Sequence, residues 1–245
     1  MMEIKIQKKV DLKDFTFIEG FPGVGLVGPM TISYVIDKLA MENIGYVDSN
    51  DFPPLISIHK NEPMPAVRVY YSEKYKIVTI FAEFAIPLEL IYETSNIVFN
   101  FIRDNGISKV FSIGGIPLQD PEGKSAYSLA STEELLKEAQ DAGLKPIGEG
   151  VATGVSALLL VKAVMNKVPD INIMVPINQE LIDPRYAVVA VQNLNKLMKL
   201  NIDITELERE AKDVEARVRE LMKKHAETHE SYKKSMGGTG PPTYA

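Results

Sequence analysis

The sequence predicts an α/β protein in which helices cover both faces of a mixed, mostly parallel sheet, giving three layers, followed by an amphipathic helix and a flexible tail. Three observations carry this. Between residues 15 and 200, short apolar runs bounded by Gly, Pro, Asn and Asp alternate with stretches of helical spacing, the pattern of a parallel sheet buried on both sides. Several strand-like runs follow one another between residues 44 and 82, which adds an antiparallel portion. Beyond residue 203 the apolar spacing changes to steps of three and four.

In chain order, Phe15 to Phe21 reads as a strand stopped by Pro22 and Gly23. Leu26 to Met41 has helical spacing, with Val27, Met30 and Tyr34 on one side. Ile44–Val47, Leu55–His59, Val67–Tyr71 and Ile77–Ala82 read as strands, and Pro53-Pro54 and Pro63/Pro65 mark turns or edges. Leu88 to Arg103 reads as a helix stopped by Asn105-Gly106. Lys109–Ile113 is a strand expected to end at Gly114-Gly115. Ser131 with Glu134 has the capping-box form, opening a helix to Ala142 that Gly143 closes. Gly154 to Asn166 is an apolar helix, Ile171–Val175 a strand, and Pro184 opens a helix to about Leu200.

Ile204, Leu207, Ala211, Val214, Val218 and Leu221 form a heptad seam flanked by Glu, Lys and Arg. Two readings stand: an amphipathic helix packed on its own domain, or a helix packed between subunits. After Ser231, Gly-Gly-Thr-Gly and Pro241-Pro242 oppose regular structure. The expected organisation is a core domain over residues 1–202, a helix over 203–230 and a flexible tail over 231–245.

The chain has 245 residues, 45% of them apolar, enough for a real core. A net charge of -6 with both signs well mixed disfavours nucleic acid as a partner. There is no cysteine, which removes disulfides, thiolate catalysis and Cys-based zinc sites. Of three histidines, only His225 and His229 share helical spacing, and no third ligand accompanies them, so no metal is expected. No apolar run approaches the ~20 residues of a membrane span, and the N-terminal segment has no signal-peptide pattern. A cytoplasmic protein is expected.

Gly23-Val-Gly25-Leu-Val-Gly28 fits G-x-G-x-x-G between a predicted strand and helix, with Asp48 downstream. One reading is a nucleoside- or dinucleotide-binding enzyme or sensor, with phosphate on the helix N-terminus. The other is a tight turn whose small residues allow close packing. Pro22 and Pro29 each remove an N–H from the loop, and Pro29 would disturb a helix starting as early as Leu26, so the structural turn is favoured. Gly114-Gly115 with Asp120 and Glu122, and Gly148-Glu149-Gly150, are further loops at strand ends, where α/β sheets hold ligands. Glu83 and Glu89 flank Pro87. They read as loop or helix-cap carboxylates more readily than as a catalytic base.

Gly20-Phe-Pro-Gly-Val-Gly-Leu-Val-Gly28, Phe111-Ser-Ile-Gly-Gly-Ile-Pro117 and Asp183-Pro-Arg-Tyr-Ala187 resemble segments of the proteasome assembly chaperone family, in particular its archaeal branch of proteasome assembly chaperone 2 homologs. The resemblance spans about residues 15–205. It implies a nucleoside-phosphorylase-like α/β fold without the catalytic role. It also implies a homo-oligomer, a tetramer or pentamer rather than a dimer, that acts as a chaperone or activator on α-subunits of the 20S core particle without ATP or another cofactor. In such proteins a C-terminal hydrophobic–Tyr–any-residue segment docks between α-subunits. The matching residues here are Thr243, Tyr244 and Ala245, with threonine where the apolar residue is usual.

Overall fold

The computed structural model describes residues 2–59, 61–118, 125–178 and 182–212. In chain order these form β1 (Met2–Ile6), β2 (Thr16–Gly20), α1 (Val27–Lys38), β3 (Glu42–Ser49), β4 (Ser57–His59), β5 (Glu62–Met64), β6 (Val67–Ser72) and β7 (Ile77–Ala82). Then follow α2 (Ile91–Asp104), β8 (Lys109–Pro117), β9 (Tyr127–Ala130), α3 (Glu133–Asp141), β10 (Lys145–Pro146), α4 (Val155–Asn166), β11 (Asp170–Ile177) and α5 (Pro184–Met198). Residues 205–212 are helical as well.

One nine-stranded sheet has the order β1-β3-β6-β7-β2-β8-β11-β9-β10, and β4 with β5 forms a separate two-stranded arm. The central pairings β7–β2, β2–β8 and β8–β11 are parallel, as is β9–β10. The antiparallel β1–β3–β6–β7 portion includes three of the four consecutive strands expected between residues 44 and 82; the fourth, expected at Leu55–His59, is β4 and lies in the separate arm instead. Alternate residues of each strand enter opposite layers, as the period of two demands. Phe17, Val78 and Val110 pack with Val98, Ile102 and Leu159 of α2 and α4. Ile18, Ile77 and Phe111 pack with Ile32, Val35, Ala187 and Val191 of α1 and α5.

Three local expectations are corrected. β8 does not end at Gly114-Gly115; it continues through both to Pro117, held along its length by β11. Thr132, not Ser131, caps α3: its hydroxyl accepts the Leu135 N–H at 3.3 Å. Ser131 instead donates to the Val168 carbonyl at 2.8 Å and accepts the Asp170 N–H at 3.0 Å, tying α3 to β11. β1, absent from the sequence reading, pairs with β3 from Met2↔Ser49 to Ile6↔Gly45.

Candidate functional site

The glycine segment forms the turn between β2 and α1. Gly23 is extended, and Val24–Leu26 make a 3-10 turn in which Gly25 has φ +71° and Leu26 has φ +51°. The left-handed conformation at residue 25 is one that glycine adopts without strain. α1 begins at Val27, so Pro29 is its third residue. Proline is tolerated there because the first four N–H groups of a helix have no partner within it, and the expected disturbance does not arise.

What the glycines provide is close approach. A Cβ on Gly115 would stand 2.4 Å from the Val24 carbonyl oxygen, and one on Gly28 would stand 2.9 Å from the Phe21 and 3.0 Å from the Ile113 carbonyl oxygens. A Cβ on Gly25 would meet Ile177 at 3.1 Å. The turn is thus seated on the ends of β8 and β11. Gly114 borders Met174 at ordinary contact distance. Asp48 does not complete a dinucleotide site: its strand β3 is separated from β2 by β6 and β7, and its carboxylate pairs with Lys5. Replacing Gly115 by alanine is expected to push the turn off β8 and to destabilise the protein by about 1–3 kcal/mol. A thermal melt checks this, and an unchanged melting temperature would mean the turn can move aside freely.

Below the turn, Glu19, Ser112 and Asn172 lie side by side on β2, β8 and β11. Glu19 is fully buried. It accepts the Phe21 N–H at 2.7 Å and the hydroxyl of Ser156, at the start of α4, at 2.6 Å. Burial pushes its carboxyl up to about 7, against the pull of those hydrogen bonds. Asp170 is also raised, by burial first and by the Glu19 charge second. Its Oδ1 accepts from Asn172 at 3.2 Å, and its Oδ2 has no hydrogen-bond partner among the described residues.

An open cavity of about 510 Å³ lies between the turn, α1, the end of β7, α5 and the helical segment 205–212. Leu26, Met30, Tyr34, Phe81 and Leu207 give it apolar walls, and Asp37, Glu83 and Glu210 give it carboxylates. No lysine, arginine or histidine is among the described residues that line it. Such a groove suits an apolar segment that carries positive charge. Glu83 is fixed from behind by Arg68, whose guanidinium lies 2.6 Å from its carboxylate. The Arg68 side chain is only 2% exposed. It also donates to the Tyr70 hydroxyl at 2.8 Å and the Pro65 carbonyl at 2.7 Å, and faces the Phe81 ring at 5.6 Å. His59, on the arm, meets Glu83 at 2.8 Å. Burial alone would push the Glu83 carboxyl up. The hydrogen bonds from Ser57, His59 and Arg68, together with the Arg68 charge, outweigh it and hold Glu83 below the usual carboxylate range. Glu83 lies in the loop after β7, as expected, and there it is also the ion-pair partner that joins the arm to the sheet. Glu89 lies in the 3-10 turn ahead of α2.

The heptad residues Leu207 and Ala211 are buried, as is Ile202. Tyr34 of α1 donates to the Asp203 carbonyl at 2.7 Å, and Lys38 pairs with Glu206. The described start of the C-terminal helix therefore packs on its own domain. Val214, Val218, Leu221, His225, His229, Thr243, Tyr244 and Ala245 lie outside the described residues, as do Asp120 and Glu122. Among the described residues no group of His, Asp and Glu could hold a metal ion, and no helix is long and apolar enough to cross a membrane.

A mixed sheet between two helical layers, with its glycine turn seated on the neighbouring strands, defines a three-layer α/β scaffold. The PAC2 family model matches residues 17–222, and the chain belongs to that family. It is similar to PbaA of Pyrococcus furiosus, an archaeal homolog of proteasome-assembly chaperone, at 28% identity. The match covers 96% of this chain and 99% of that one, with a TM-score of 0.82. PbaB of the same organism, an archaeal proteasome activator, shares the fold at 21% identity, 90% and 98% coverage and a TM-score of 0.79. The Methanocaldococcus jannaschii protein MJ0106 is 29% identical over 226 residues, which is 91% of this chain and 92% of that protein.

Proposed function

We propose that the protein is an ATP-independent, non-catalytic proteasome assembly chaperone or activator. In this reading it acts in the cytoplasm as a homo-oligomer, a tetramer or pentamer, and binds α-subunits of the 20S core particle through Thr243-Tyr244-Ala245. The observation that carries the reading is the likeness to PbaA along nearly the whole of both chains, at 28% identity. Membership of the PAC2 family supports it.

The physical argument concerns the repeated use of a weak anchor. In this reading Gly237-Gly238-Thr239-Gly240 acts as a tether, and Pro241-Pro242 limits the entropy lost on docking. Tyr244 offers a large, amphipathic contact with few rotors. One such segment binds weakly; several on one oligomer gain through effective concentration, provided all can dock together. Removing residues 243–245 is expected to abolish co-purification with the core particle while leaving the oligomer's mass by light scattering unchanged. Undiminished binding would remove these residues from the mechanism.

A further inference from the structure

We propose that the acidic groove beside the glycine turn is the dock for the Tyr232-Lys233-Lys234-Ser235-Met236 stretch of a neighbouring copy. The inference rests on the homo-oligomer and the tail anchor proposed above, and it assigns where each tail is held.

The groove sets unpaired charge beside apolar walls. Ser33 and Asp37 stand one turn apart on the exposed side of α1, and Glu210 adds a second carboxylate from the helical segment 205–212. The side chains of Asp37 and Glu210 form no ion pair or hydrogen bond among the described residues. Glu83, the third carboxylate, is already matched by Arg68. The cations nearby are engaged as well. Lys38, next to Asp37, lies 5.2 Å from the centre of the Tyr34 ring and pairs with Glu206, which Arg209 also attracts. Arg185, next to Pro184, pairs with Asp183. Like charges gathered on one cavity favour an occupant that brings cations. The volume of about 510 Å³ falls in the ~300–1,000 Å³ range of pockets that enclose a small ligand. It suits a short segment rather than a whole domain face.

The chain itself supplies the complement. Residues 213–230 carry five acidic side chains against four Lys and Arg. From Ser231 to Ala245 the charged side chains are Lys233 and Lys234 alone, both positive, in a chain whose net charge is -6. Tyr232 and Met236 bracket them with an aromatic and a pliable apolar side chain. Two ammonium groups between two apolar anchors match two carboxylates beside apolar walls.

Reach selects a neighbour's groove over the chain's own. The heptad spacing predicts a helix over 203–230, which at 1.5 Å per residue ends about 30 Å beyond Glu210. Tyr232, two residues further, can return only ~7 Å. A second copy presents the same groove at other positions around the oligomer. With Met236 seated, residues 237–242 span at most ~20 Å before Thr243. Docking therefore fixes the place from which each tip is offered, and tips held at set spacings raise the effective concentration of every tip after the first.

The chain has no cysteine, so an introduced pair reports on one contact. Full-length Ser33→Cys and Ser235→Cys variants, co-expressed and oxidised, are expected to give a two-chain product containing one of each, identified by mass. Neither variant alone is expected to give it. Adding Lys233→Glu and Lys234→Glu to the Ser235→Cys chain is expected to cut the yield by more than about tenfold. Adding Asp37→Lys and Glu210→Lys to the Ser33→Cys chain is then expected to restore it. Circular dichroism verifies that each variant is folded. Absence of the mixed product, or a yield that the charge changes leave alone, would overturn the contact. So would a disulfide closed within one chain that carries both cysteines, since the groove would then hold its own tail. Core-particle capture by wild-type protein judges the functional reading separately. Its failure beside an intact cross-link sinks that reading and keeps the dock; loss of the cross-link beside intact capture sinks the dock alone.

Discussion

Replacing Arg68 by methionine should lower the stability of the folded protein by about 2–3 kcal/mol, less than the ~3–5 kcal/mol of a fully buried ion pair because Glu83 is part-exposed and keeps His59 as a partner. In a chain of 245 residues that is a fall in melting temperature on the order of 10 °C. Methionine keeps much of the arginine's volume beside Phe81, so the loss reports mainly on charge. The guanidinium serves Glu83, Tyr70 and the Pro65 carbonyl at once, and its removal leaves all three short of a donor. The double variant Arg68→Met, Glu83→Gln should recover part of the loss, because a neutral amide tolerates the vacated site better than a carboxylate does. Thermal melts of the wild type, both single variants and the double variant close the cycle. If Arg68→Met melts within about 2 °C of wild type, the clamp contributes nothing beyond an ordinary surface pair.

The second large effect is on pH dependence. Glu19 has an ordinary value of 4.5 and is pushed up to about 7 in the folded protein. Below about 4.5 it is protonated in both the folded and the unfolded chain, and its full contribution is present. Between the two values the folded protein holds a proton that the unfolded chain releases, so stability falls as pH rises. Above about 7 the contribution is gone, because the folded protein then carries a buried charge. The difference is roughly 3 kcal/mol, at 1.36 kcal/mol per pKa unit. Raised Asp170 acts in the same direction. Glu19→Gln should flatten this slope and be more stable than wild type at about pH 8. Urea unfolding at about pH 5 and about pH 8 measures it; equal slopes in the two proteins would place the titration elsewhere.

Most of the fold is legible in the sequence because its central strands are dense apolar runs and its helices have clear periods. β1, β9 and β10 are not. They are short, lie toward the two edges of the sheet, and are stabilised by pairing that no local pattern announces. Ser131 has capping-box spacing to Glu134, yet its tertiary bond to the Val168 carbonyl, which no local pattern announces, leaves the cap to Thr132. At the site, the glycine turn is readable, yet sequence spacing cannot say that β6 and β7 come between Asp48 and the turn. The sequence carries two signals for the buried charges: Arg68 interrupts the run Val67–Tyr71, and Glu19 sits within the apolar strand Thr16–Gly20. A charge inside a run of buried type calls for a partner.

The two borders of the nine-stranded sheet bear on how copies of the protein can meet. At one border β10 is two residues long and ends in Pro146, which has no N–H to give to an added strand. At the other, β1 alternates Glu3 and Lys5 with its apolar residues, and Lys5 pairs with both Glu3 and Asp48. Both are protections against β-augmentation by another chain. Assembly by joining sheets into one ribbon is thereby discouraged, and the same guard protects a concentrated solution of the protein from fibrous aggregation.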